Sequence, residues 1–330
     1  MRQFDKPAIS VADQVDLLKA RGLKVPDDSA AIDLLKAVSF FRLTPYMRPF
    51  QIEGDALHRF RPSTKLDALS ELYDFDRRLR LLTMDAIERV EVAVRATVSN
   101  HMGPAYGSHW YMDPNIFRQH YDHTRLVSTI EKAQAKARHD FEIEVARIEQ
   151  SRKASEAHKA RLKERRAQES YARHYALTYS EPQLMPGWAA MEELTLGSLS
   201  HLYKDLSLDR DRKAIAKRFE LPAPVLESWL HTLSFVRNIC AHHGRLWNRE
   251  LEIKPAKPRS ASFMWPCYLE SAPQYTRVGS VFAILRHLVL RIDSDTTWAS
   301  DLAGLLSAYP SVSKPQMGLP DDWLEDPFWR

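Results

Sequence analysis

The residues whose types and spacing best suit chemistry lie in Phe235–Arg249, FVRNICAHHGRLWNR. Here Arg237 and Asn238 are followed, after three intervening residues, by His242. A histidine, with an unperturbed pKa of about 6.5, can accept or donate a proton near neutral pH. A guanidinium fork matches the oxygens of a pentacoordinate phosphorane in geometry and charge. Such a pair suits RNA cleavage without a metal. The ribose 2′-hydroxyl attacks its own phosphodiester, leaving a 2′,3′-cyclic phosphate and a 5′-hydroxyl. Asn238 and His242 are neighbours on a helix face, so the amide can orient the imidazole. Arg237 and His242 fall about 140° apart around an ideal helix. The long arginine side chain, a local distortion or a second copy of the helix must bring them together.

The looser pattern, arginine then histidine five or six positions on, also occurs at Arg95–His101, Arg118–His123 and Arg152–His158, so spacing alone selects nothing. Context does. Arg152 lies in a charged segment with no apolar wall, and Arg118 lies in the polar stretch FRQHYDHTR. Arg237 ends a strongly apolar helical run and should leave the core at a fixed angle. His243, Arg245, Asn248 and Arg249 extend its polar side as phosphate contacts or as solvated surface. Glu88, Glu91 and Arg95, with His101 beyond them, read first as ion pairs along a helix and second as support for a cleft. Cys240, His242, His243 and Cys267 are zinc ligands by type, but cysteine and histidine two apart on a helix point in nearly opposite directions. No metal site is expected. The absence of Walker, H-E-x-x-H and G-x-S-x-G patterns leaves no cofactor implied.

The elements that must position these groups are helical. Glycine is scarce, 10 of 330 residues, and apolar residues recur at helical rather than alternating spacing. The run Leu66–Met102 predicts one long helix or two consecutive ones, stopped by Gly103-Pro104. Asp28 or Ser29 should cap a helix over Ala30–Phe41, and FFRLTPYMRPF reads as an ordered turn and loop. Asn115 to Glu181 lacks proline and glycine and alternates charge sign, which predicts a solvated helix or antiparallel helical pair. Its basic stretch Arg161–Arg166 reads as a solvated, ion-paired face or as an RNA-backbone contact. WAAMEELTLGSLSHLYKDL predicts a helix interrupted near Gly197. Helices are also expected over VLESWLHTLSFVRNICAHH, over SVFAILRHLVLRI and around Leu302–Ala308.

The organisation read from this is an N-terminal helical region (1–115) packed on the core, a charged helical insertion (116–176) and a C-terminal part of the bundle (177–330) carrying the motif. The chain has 44% hydrophobic and 27% charged residues, a formal charge of +4 and two cysteines. This is the composition of a soluble globular protein. No apolar run reaches the roughly 18 residues of a membrane span, and MRQFDKPAIS lacks an export signal, so a cytoplasmic location is expected. The mild positive charge permits RNA as a partner without demanding it.

Several landmarks in one order carry a resemblance: KPAIS, LLKARGLKVPD, VSFFRLTPYMRPF, LYDFDRRLRLLTMDAIERVEVAVRATVSNHM, YGSHWYMD, WAAMEELTLGSLSHLY and VRNICAHHGRLWN. From about Lys6 to about Arg291 the chain resembles the AbiD/AbiF-like abortive-infection proteins, themselves similar to the HEPN superfamily of helical RNA-processing domains. The resemblance implies an all-α, HEPN-like bundle with an N-terminal helical elaboration and a long charged insertion. It implies a phage-defence effector acting as an endoribonuclease, and Arg237, Asn238 and His242 fall on the HEPN R-N-x-x-x-H form. Arg95 and His101 meet the looser spacing, with Ala96 in place of the asparagine, and Glu192 matches a recurring family acid. HEPN ribonucleases pair two motifs in one cleft, which implies a homodimer, and some relatives are linked to a small noncoding RNA. The rival expectations are a non-catalytic RNA-binding protein and a helical protein-interaction module.

Overall fold

The computed structural model describes residues 7–259, 263–270 and 275–330. The residues MRQFDK, read above for export signals, and residues 260–262 and 271–274 lie outside them. Among the described residues there are helices and isolated bridges, such as Lys24 with Lys65, but no strands. The fold is all-α.

The organising element is α4, Leu66–Tyr106. Its 41 residues make a rod of about 60 Å at 1.5 Å per residue. Leu69, Leu72, Phe75 and Leu79, then Ile87, Val90, Val94, Val98 and Met102, form its buried stripe. The helix runs through Gly103-Pro104 and ends at Gly107, at φ +95. Gly103 has no side chain to clash with the following proline ring, so it accepts the helical conformation that proline usually forbids its predecessor. Proline in a last turn forfeits one hydrogen bond and little else.

Ahead of α4 lie α1 (Val11–Ala20), α2 (Asp28–Val38) and α3 (Phe40–Met47). The cap of α2 is Asp27, whose carboxylate accepts from the Ser29 and Ala30 amides, one residue before the expected cap. Ser39, at φ +67, closes α2 and opens α3 by accepting the Arg42 amide. The helix expected over Ala30–Phe41 is therefore two. The stretch expected as a turn and loop is instead α3 followed by a 3-10 turn, Arg48–Phe50. Pro45 sits inside α3 because the helix is so short that few hydrogen bonds depend on its missing N–H.

The charged segment forms α5 (His123–Glu149), α6 (Glu156–Ala167) and α7 (Tyr171–Thr178), with α6 and α7 folded back on α5. Leu126 and Ile130 root α5 in the main core, and Ala172 and Tyr175 root α7. Beyond them some cations are paired between helices, Arg173 with Glu144 at 3.1 Å, Arg166 with Glu144 at 3.6 Å and Lys163 with Glu149, while Arg147, Arg161 and Arg165 have no carboxylate within 4.0 Å among the described residues.

After α8 (Gly187–Ala190) the chain breaks at Leu194-Thr195 rather than at Gly197. Thr195 caps α9 (Leu196–Lys204) by accepting the Ser198 amide, so Gly197 is an ordinary helical residue. α10 (Asp209–Lys217) and α11 (Ala223–Ala241) follow. Val225, Leu226, Trp229, Leu230, Leu233, Val236 and Cys240 of α11 are all buried, as their spacing predicts. α12 (Val278–Ile292) and α13 (Trp298–Ala308) pack with α11 against α4. No helix among the described residues is long and apolar enough to cross a membrane.

Leu233→Ala should cost about 2–5 kcal/mol, because it leaves a cavity in a fully packed layer. Val92→Ala, on the exposed face of α4, should stay within about 0.5 kcal/mol. Urea denaturation midpoints of the two variants check both values.

Candidate functional site

α11 ends where the motif needs it to end. His242 is its C-cap, with its amide donating to Asn238 O at 3.0 Å. His243 follows in the left-handed region at φ +56, donating to Cys240 O at 2.9 Å, and the Gly244 amide donates to Ile239 O at 2.7 Å. These two bonds make a Schellman closure in which histidine holds the position glycine usually takes. Space favours the glycine at Gly244 instead: a Cβ there would lie a tight 3.2 Å from both Ile239 Cγ2 and Ile239 O. The closure turns His242 and His243 outward and leaves both exposed.

The segment after the closure is tied to α3 and α4. Asp76 of α4 is fully buried. Its carboxylate accepts from the Leu246 amide at 3.1 Å, the Trp247 amide at 2.6 Å and the Tyr46 hydroxyl at 2.5 Å, and it is ion-paired with Arg80. Arg80 donates to Tyr46 Oη at 3.0 Å and reaches Gly244 O at 3.5 Å. Arg42 donates to His243 O at 2.7 Å, and Arg245 reaches Pro45 O at 3.5 Å. Burial pushes the Asp76 carboxyl up, opposed by the Arg80 charge, the Tyr46 hydroxyl and the two amides. Burial first, and the Asp76 charge second, push the Tyr46 phenol up, so it stays a donor. Asp76, Arg80, Tyr46 and Arg42 were not singled out from the sequence. Their only signal is the four-residue spacing of Asp76 and Arg80, hidden among five charges in DFDRRLR.

Arg237 is half-buried and Asn238 exposed. Among the described residues, no hydrogen bond, ion pair or ring contact engages the side chains of Arg237, Asn238 or His242. The link between Asn238 and His242 runs through the backbone; no bond joins the amide to the imidazole. Around them lie arginines lacking acidic partners. Arg48 and Arg249 are close enough to Arg245 for their charges to act on it, though burial is the larger cause lowering the Arg245 pKa. Arg249 also lies over the Phe235 ring, 5.8 Å from its centroid. None of Arg42, Arg48, Arg237, Arg245 and Arg249 has a carboxylate within 4.0 Å among the described residues. Asn248, at φ +38, donates to Gln316 Oε1 at 3.3 Å and accepts Arg277 Nη1 at 3.1 Å, so it braces the loop.

The second arginine–histidine pair is committed elsewhere. Arg95 is ion-paired with Glu91, lies 3.4 Å from Glu192 and donates to Leu194 O at 2.7 Å. His101 Nε2 is 2.8 Å from Asp211 Oδ1, and Tyr106 donates to the other oxygen of that carboxylate at 2.6 Å. The fold thus brings Arg95 and Glu192 together, but away from the motif. His101 stands 21 residues along α4 from Arg80, about 30 Å. Cys240 is buried, which pushes its thiol up to about 12, and Cys267 donates to Asp326 at 3.3 Å. No group of three potential metal ligands converges among the described residues.

The model of the Abi-like protein family matches residues 33–248. That span is well over half of the chain, and it ends just past the loop that Asp76 holds. The chain belongs to the Abi-like protein family. No curated protein and no solved structure matches it. This span is narrower than the resemblance read from about Lys6 to about Arg291, and it contains α4, the charged helices and the whole of the motif.

Asp76→Ala should destabilise this Abi-like protein by about 3–5 kcal/mol, because Arg80 is left buried without its counter-charge. Tyr46→Phe, which removes the hydrogen bonds of its hydroxyl to Asp76 and from Arg80, should cost about 1.5–3 kcal/mol. Equal denaturation midpoints for Asp76→Ala and wild type would show that the loop is held some other way.

Proposed function

We propose that this Abi-like protein is an endoribonuclease that halts growth by cutting RNA, with Arg237 and His242 at its reacting centre. The observation that carries the reading is a contrast. His242, Arg237 and Asn238 stand with uncommitted side chains on a rigidly closed helix end, beside arginines without acidic partners. The rival pair, Arg95 and His101, is spent on Glu91 and Asp211. Cations left unpaired on a folded surface favour a polyanion, whose phosphates supply the missing counter-charge.

The chemistry follows from the residues. A base takes the proton of the ribose 2′-hydroxyl as its oxygen bonds to the adjacent phosphorus. The bond from phosphorus to the 5′-oxygen breaks, and that oxygen receives a proton. Arg237 faces the charge that builds on the non-bridging oxygens. His242 serves one of the two proton transfers. A second copy of the motif, contributed by a homodimer, supplies a second imidazole for the other. Arg245 and Asn248 hold the loop, while His243 and Arg249 extend the phosphate-binding surface. A small noncoding RNA seated on the same surface would restrain the enzyme until a cue releases it.

The same arginines equally favour a protein that holds RNA without cutting it, and the two readings part at His242. On induction, wild type should arrest growth and leave fragments ending in 2′,3′-cyclic phosphate. His242→Ala at equal expression should slow cleavage by at least about 100-fold, the ordinary worth of a general acid or base. RNA bound tightly but intact with both proteins sinks the nuclease reading and leaves the binding one. For the surface, Arg48→Ala and Arg249→Ala should each flatten the dependence of log Kd on log salt by about one. A slope unchanged in both would remove them from the phosphate path.

A further inference from the structure

Phe41 is the most exposed large apolar side chain among the described residues, at 88%, against 66% for Leu57, the next. A single exposed phenylalanine is ordinary on a protein surface; this one is set apart by its place. α3 turns Leu43, Tyr46 and Met47 into the core, and Tyr46 is bonded to Asp76. The helix that carries Phe41 is thus held by the same buried carboxylate as the loop after His242. Arg42, the next residue, donates to the His243 carbonyl at 2.7 Å. Adjacent Cα atoms lie about 3.8 Å apart, so the Phe41 backbone stands little more than one arginine side chain from that carbonyl. Arg48, seven residues on and still helical in backbone, returns to the side of α3 that carries Phe41, and Arg42 lies about 100° round from it.

Resting on the nuclease reading above, we propose that Phe41 is a stacking platform for an unpaired base of the bound RNA. The phosphates on either side would lie along Arg42, Arg48 and Arg249, with the scissile phosphate at Arg237 and His242. An aromatic ring accepts the flat face of any base without reading its identity. In a duplex those faces are covered by neighbouring pairs, so the platform engages only nucleotides free to splay out. A site that pairs an open aromatic face with uncompensated arginines selects single-stranded segments by stacking and holds them by charge.

The test uses full-length protein in the His242→Ala background, so that the RNA stays intact. A labelled 12-nucleotide oligoadenylate and a blunt RNA duplex of equal length serve as probes at one fixed salt concentration. Phe41→Ala should weaken single-strand binding roughly tenfold, within the range that losing one stacked base produces. It should leave duplex binding unchanged, and Phe41→Trp should restore the single-strand affinity. With His242 intact, cleavage at subsaturating single-stranded RNA should fall by the same factor. Equal single-strand Kd values with and without Phe41, in a protein that still cleaves, overturn the platform and leave the nuclease standing. Neither binding nor cleavage with any variant removes the nuclease reading and the platform with it. Loss of binding together with a dimer-to-monomer shift in sedimentation assigns Phe41 to a contact between copies and overturns the stacking role.

Discussion

A carboxylate with no access to water must be met by charge and hydrogen bonds, and Asp76 is met from three segments at once. Arg80 lies one turn along its own helix, Tyr46 comes from α3, and the Leu246 and Trp247 amides come from the segment after the motif. A buried ion pair adds little net stability compared with an apolar replacement. Its effect lies in what it forbids. Any displacement of the loop strips donors from a charge that cannot be rehydrated, so loop, α3 and α4 hold one arrangement. The end of α11 inherits that arrangement through the Gly244 closure, and with it the direction in which His242 leaves the protein.

The same constraint sorts the charges. Along α5 to α7, some basic residues meet acids on neighbouring helices, as Arg173 meets Glu144, while others, such as Arg161 and Arg165, have no carboxylate within 4.0 Å among the described residues. Beneath the motif Asp76 is buried and already occupied. Arg42, Arg48, Arg245 and Arg249 therefore present charge with no internal answer. A formal charge of only +4 conceals this, because net charge says nothing of where the uncompensated part resides.

Legibility varied with the kind of force. The buried faces of α11 and α4 were readable because apolar spacing reports a helix face directly, and the residues expected to be buried in α11 are buried. Element ends were read less well. A cap depends on which of several adjacent side chains points back at the amides, and Asp27 takes that place ahead of Asp28 and Ser29. Gly103-Pro104 failed as a stop because the glycine relieves the clash that makes proline a breaker. Pro45 likewise sits within a helix too short to be harmed by it.

The sequence by itself determined the all-α class, the apolar faces of the long helices, and the presence of Arg237, Asn238 and His242 near the end of one of them. Those are local properties, written in periodicity and in residue types a few positions apart. Only the tertiary structure committed His101 to Asp211, 110 residues away, and added Glu192, 97 residues away, to the Glu91 that helical spacing already offered Arg95. It alone placed Asp76 beneath a loop 170 residues distant and set Phe41 beside that loop through Arg42, 201 residues from His243. Contacts of that range depend on how helices pack, and no one-dimensional spacing encodes them.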